Sequence, residues 1–152
     1  MNKLIELECD LRQLNQFSKE LALKTKIGDL FLLSGDLGVG KTTFARALIN
    51  SLFDINKVIK PNTIKSPSFP IMINYPLKNY DIFHFDLYRL NNEAELHEIG
   101  IFEELEKNIS IIEWPDIILN HFSLRKYYLL EFEIINLKKR LIKVSHSKKN
   151  NI

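Results

Sequence analysis

"FLLSGDLGVGKTTFARALI", Phe31 to Ile49, is the stretch that decides the fold. Within it, Gly35-Asp36-Leu37-Gly38-Val39-Gly40-Lys41-Thr42 fits the phosphate-loop pattern G-x-x-x-x-G-K-[ST]. The run before it, residues 30–34, is apolar up to its final serine and lies between Gly28 and Gly35. A parallel strand covered on both faces reads this way. After Lys41, the residues Phe44, Ala45, Leu48, Ile49 and Leu52 form one stripe at helical spacing. Strand, glycine loop and helix in that order are what a phosphate loop requires. A glycine-rich turn lets backbone N–H groups face a crowded set of negative charges, and the helix adds its positive end. In such a loop Lys41 would place a point charge at the β- and γ-phosphates, and the Thr42 hydroxyl is placed to ligate Mg²⁺. Thr43 can donate to an α-phosphate oxygen.

Outward from the loop, "LIELE" (4–8) reads as a strand and 11–24 as an amphipathic helix with Leu11, Leu14, Phe17 (or Ser18) and Leu21 on one side. A turn is expected at 26–29. Residues 53–69 read as irregular, broken by Pro61 and Pro67. Strands are expected at 71–75 and 80–88, a helix interrupted at Gly100 over 93–107, and a further strand at 109–113. Tyr128, Leu130, Phe132 and Ile134 alternate within 126–135, which should form a hairpin with 140–145 at a sheet edge. The stretch from His146 onward reads as frayed. The expected fold class is α/β: a single P-loop NTPase domain over residues 1–146, its mixed parallel and antiparallel sheet flanked by helices, with a basic tail at 147–152.

Composition supports one domain. The chain has 152 residues, 45% of them hydrophobic, enough for a core rather than a disordered chain. Twenty-one basic residues against 19 acidic ones give a net charge of +2, which does not by itself indicate nucleic-acid binding. Cys9 is the one cysteine, so no intramolecular disulfide and no Cys-rich metal site is expected; Cys9 reads as a small hydrophobe. No signal-peptide pattern opens the chain and no apolar run nears the roughly 20 residues of a bilayer span. A cytoplasmic protein without a membrane partner is the expectation.

A phosphate loop needs a carboxylate at the end of a neighbouring strand. Glu113, which ends "ISIIE", is the candidate, and with Thr42 it would hold Mg²⁺. Trp114, next in sequence, either stacks near a nucleotide or caps the core. In "HFDLYR" (84–89), alternation puts His84, Asp86 and Tyr88 on one face. That face is either solvated or brings Asp86 to a cation; both stay open. "SPSF" (66–69) reads by itself as a turn begun by Ser-Pro. The Asn-Lys-x-Asp guanine signature is missing, because Asn56-Lys57 is followed by Val58 and Ile59. ATP is therefore preferred over GTP.

"GDLGVGKTTFARAL", "SPSF", "NYDIFHFDLYRL", "IG" at 99–100 and "IIEWPD" at 111–116, in this order, resemble the TsaE (YjeE) family of small bacterial ATPases. The resemblance implies ATP/ADP and Mg²⁺ as ligands, with Lys41 and the 35–43 backbone on the phosphates. It implies Thr42 and Glu113 on the metal and Asp86 as an acid near the γ-phosphate. Lys41, Asp86 and Glu113 become the catalytic set, Ser66 and Ser68 fall in a switch-like loop, and Trp114 falls near the nucleotide. It further implies a TsaB–TsaD-type heterodimer as partner, tRNA reached only through that complex, and modification of adenosine 37 to its threonylcarbamoyl form. Two positions depart from the family's pattern: Ser68 stands where Thr is usual, and Leu11-Arg12-Gln13 where an acid–Thr pair approaches the nucleotide. Arg140 falls where members often carry an Arg. The expected activity is ATP hydrolysis, weak alone and stimulated by partners. A small-molecule kinase and an assembly switch with negligible hydrolysis are the alternatives.

Overall fold

The computed structural model describes residues 2–122 and 125–147. Its strands are β1 (Asn2–Cys9), β2 (Leu30–Ser34), β3 (Met72–Pro76), β4 (Asp81–Asp86), β5 (Ile109–Glu113), β6 (Tyr128–Ile134) and β7 (Arg140–His146). Its helices are α1 (Leu11–Lys24), α2 (Lys41–Asn56), α3 (Glu93–Glu98) and α4 (Ile101–Glu104). The strands form one mixed sheet in the order β1-β7-β6-β2-β5-β4-β3. β2 is parallel to both β5 and β6, and β4 is parallel to β5. The outer pairs are antiparallel.

Alternation along β2 explains its unbroken apolar run. Phe31 and Leu33 enter a core that includes Leu14 and Ala22 of α1 and Phe44, Leu48 and Leu52 of α2. Leu30 and Leu32 enter a second core with Leu96 of α3, Ile101 of α4 and Ile118. Helices cover both faces, so every β2 side chain before Ser34 is buried. Each fully buried aliphatic or aromatic side chain contributes about 1.5–3 kcal/mol.

α1 starts at a capping box: Asp10 Oδ1 accepts the Gln13 N–H at 2.8 Å, and Gln13 Oε1 accepts the Asp10 N–H at 2.9 Å. α2 starts differently. Its N-cap is Gly40, at φ 115°, with no side-chain cap, so its first amides face outward from the loop.

Several expectations are corrected. α2 runs four residues past Leu52, because Phe53 also packs in the core and only Lys57, in the left-handed region, ends the helix. Leu11 is exposed, and Ser18 and Ala22 complete the buried side of α1. β4 ends at Asp86, two residues early. The β6–β7 hairpin is not at the edge. β1 pairs with β7 from Asn2↔His146 to Cys9↔Arg140 and takes the edge itself. The chain does not fray at His146 or Ser147: His146 belongs to β7, and Ser147 Oγ accepts the Tyr127 N–H and donates to the Arg125 carbonyl. Residue 1 and the rest of the expected tail, 148–152, lie outside the described residues.

Candidate nucleotide site

Parallel strands deliver their carboxyl ends to one side of the sheet, where such folds bind ligands. β2, β4 and β5 end together here. Leu33 is in register with Glu113, and Glu113 with Asp86. The loop leaving β2 therefore rises beside two acids. One cavity is lined by residues 37–43 of the loop together with Ser68, Asp86, Glu113 and Trp114. Of the remaining sequence candidates, Gly35, Asp36 and Ser66 do not line this cavity: Gly35 and Asp36 offer their carbonyls to Lys41, and Ser66 touches Ser68.

Thr42 Oγ1 donates to Glu113 Oε1 at 2.7 Å, and Glu113 Oε2 meets His84 Nε2 at 2.8 Å. Glu113 and His84 are buried. Thr42 and Glu113 present hard oxygen donors side by side. Among the described residues no group of three or more His, Cys, Asp or Glu side chains could hold a metal alone. A small donor set of this kind fits Mg²⁺, which keeps waters and shares substrate phosphates, and does not fit an all-protein cage.

Asp86 is buried, so the solvated reading of its face does not hold. Its Oδ2 accepts the Ser68 hydroxyl at 3.0 Å and its Oδ1 accepts the Tyr88 N–H at 3.0 Å. Ser66 and Ser68 share a hydroxyl contact of 2.8 Å. "SPSF" is thus more than a turn: it ties an exposed loop to a buried acid. Tyr88 lies outside the strand and is exposed.

Lys41 folds over the loop. Its Nζ donates to the Gly35 carbonyl and, at 3.0 Å, to that of Asp36, and it lies 3.7 Å from the centre of the Trp114 ring. Burial lowers the Lys41 pKa, while Glu113, Asp86, Asp36 and Asp116 oppose that shift. Trp114 has φ 58°, a strained conformation for a bulky residue, and packs on Tyr88 at 4.8 Å between centroids. It caps the site, not the core.

Two residues gain a definite role only in three dimensions. Arg140 Nε donates to the Val39 carbonyl at 2.8 Å and braces the loop from β7. A second cavity, beside the loop at Val39, Gly40 and Thr43, runs between Leu11 and Leu14 of α1 and Phe132 of β6, with Asp10 and Arg140 among its lining. His84 supports Glu113 from inside the sheet. Its place on the same strand face as Asp86 was the one signal in the sequence.

The family model "Threonylcarbamoyl adenosine biosynthesis protein TsaE" matches residues 9–142. The tRNA threonylcarbamoyladenosine biosynthesis protein TsaE of Rickettsia conorii is 36% identical over 136 residues, covering 90% of this chain and 74% of that protein. The protein of the same name from Borreliella burgdorferi is 34% identical over 134 residues, covering 87% and 92%. The crystal structure of Bacillus subtilis YdiB superposes with a TM-score of 0.68 at 19% identity, covering 95% of this chain and 88% of that one, which supports the shared P-loop fold. The phosphate loop, the strand-end acids and these matches together make the chain a member of the TsaE family of threonylcarbamoyl adenosine biosynthesis proteins.

Proposed function

We propose that this chain binds ATP with Mg²⁺, hydrolyses it to ADP and phosphate, and thereby supports threonylcarbamoyl modification of tRNA adenosine 37 together with a TsaB–TsaD-type heterodimer in the cytoplasm. The observation that carries the ATPase reading is the Thr42–Glu113 pair at the mouth of the loop. Phosphoryl transfer needs mainly positioning and charge neutralisation. Mg²⁺, when bound, neutralises phosphate charge. Thr42 and Glu113 would hold it, one through its hydroxyl and one through its carboxylate. The uncapped amides of α2 and the loop orient the phosphates. Lys41 must leave the carbonyls of Gly35 and Asp36 to meet them, and its ammonium is already desolvated there. Asp86, fixed by Ser68 and the Tyr88 N–H, is the acid available to accept a hydrogen bond from an attacking water. The apolar walls of the second cavity suit the flat face of adenine.

The role in tRNA modification rests on family membership. Reconstitution tests it: chain, heterodimer, threonylcarbamoyl-adenylate and excess tRNA, with modified adenosine 37 counted per heterodimer. Repeated cycles should need this chain and ATP. Equal yields without the chain would overturn the reading.

A further inference from the structure

We propose that His84 is a positioning residue for Glu113, fixing one carboxylate oxygen so that the other faces Thr42 and a bound divalent cation. This rests on the reading of Glu113 as the metal-holding acid. A glutamate's terminal torsion is soft and roughly two-fold, so a strand position alone does not aim its oxygens. Here each oxygen has its own donor. Thr42 reaches Oε1 from the first turn of α2, and His84 reaches Oε2 from the neighbouring strand β4.

The imidazole is costly where it lies. His84 has no exposed surface, and Ile82 and Ile111 flank it, one on its own strand and one in register across β5. A histidine kept to complete a core network would use both ring nitrogens. His84 uses one: its buried Nδ1 has no hydrogen-bond partner among the described residues. Its single bond goes to the acid. A carboxylate only accepts, so Nε2 carries the proton and the tautomer is fixed by that contact. Partners behind a metal ligand orient it, and losing one typically weakens metal binding about 10- to 100-fold.

Glutamine places an amide N–H near the position of Nε2, whereas asparagine is polar but too short to reach Glu113. The test compares the wild-type chain, His84→Gln and His84→Asn, with Mn²⁺ as probe and ADP present. Electron paramagnetic resonance measures Mn²⁺ affinity, and Trp114 fluorescence measures ADP affinity in EDTA. His84→Asn should weaken Mn²⁺ binding about tenfold or more. His84→Gln should stay within about threefold of wild type, and ADP affinity in EDTA should be the same in all three. Equal Mn²⁺ affinity in wild type and His84→Asn would overturn the inference and leave the site reading intact. So would equal losses in both variants, which would mean packing alone. If the wild-type chain holds no Mn²⁺ with ADP, the site reading fails and this inference with it. A second readout needs no His84 variant. In ¹⁵N-histidine spectra of the wild-type chain, His84 should show the Nε2-protonated tautomer, and its Nε2 resonance should move when Mg²⁺ and ADP are added. An Nδ1-protonated ring, or no shift, contradicts the inference.

Discussion

Thr42 Oγ1 and Glu113 Oε1 lie 2.7 Å apart although 71 residues separate them in the chain. β2 and β5, side by side, bring them together. Glu113→Gln keeps an acceptor for one donor and nearly the same volume. It should unfold within about 1 kcal/mol of wild type, but hydrolysis should fall at least about a hundredfold, or about 2.7 kcal/mol of barrier. Glu113→Ala removes both acceptors and leaves the buried His84 donor unsatisfied, which costs about 1–3 kcal/mol more. Urea melts and phosphate-release assays separate the two effects.

Lys41 gives a pH dependence with a definite sign. Burial lowers its pKa from 10.5, and bound phosphate favours the ammonium form. ATP affinity should therefore be highest below the lowered value and begin to fall as pH rises through it, before 10.5 is reached. In Lys41→Gln that fall should be missing. The lone tryptophan, Trp114, sits 3.7 Å from Nζ and provides the fluorescence readout. Without nucleotide, the unfolded chain binds the extra proton between the two values. Lys41's contribution to stability should then rise with pH across that window.

Two loop glycines should respond differently to alanine. At Gly35, φ is 144°, and an added Cβ would lie 2.7 Å from the Phe132 carbonyl oxygen and 3.0 Å from Val39 Cγ1. Backbone blocks the first of these, so the loop must move off β6. At Gly38, φ is 74° and nothing lies within 4 Å of an added Cβ. Gly38→Ala should cost only the left-handed strain of about 1–2 kcal/mol. Gly35→Ala should cost more than that and abolish ATP binding, as thermal melts and nucleotide titration would show.

Asp86→Asn keeps one oxygen for the Tyr88 N–H but loses the charge. Nucleotide affinity should stay within about threefold while turnover drops at least about tenfold, roughly 1.4 kcal/mol. Ser68→Ala removes the loop's tether to Asp86 together with the hydroxyl contact to Ser66. It should lower turnover several-fold without moving the melting temperature. Single-turnover phosphate release distinguishes slower chemistry from weaker binding.

Local signals were legible in the sequence where one short stretch carried them. The apolar spacing set α1 at 11–24, and the bounded apolar runs set β2 at 30–34 and β5 at 109–113. Glu113 could be found because it ends such a run. What could not be read depended on distant partners. β1 covers the edge of β7 through pairs more than a hundred residues apart in sequence, and no local pattern encodes that. The face of His84 and Asp86 stays open between solvent and a cation on the sequence alone, because alternation gives sides, not coverage; the loop carrying Ser68 ties down over Asp86. Arg140's grip on Val39 is equally non-local.

The most direct measurement is phosphate release from ATP in Mg²⁺, for the wild-type chain and Lys41→Ala, each mixed with a TsaB–TsaD-type heterodimer. Wild type should exceed Lys41→Ala at least about tenfold, because the loop ammonium is lost from the phosphates. Equal rates from the two proteins would contradict the account.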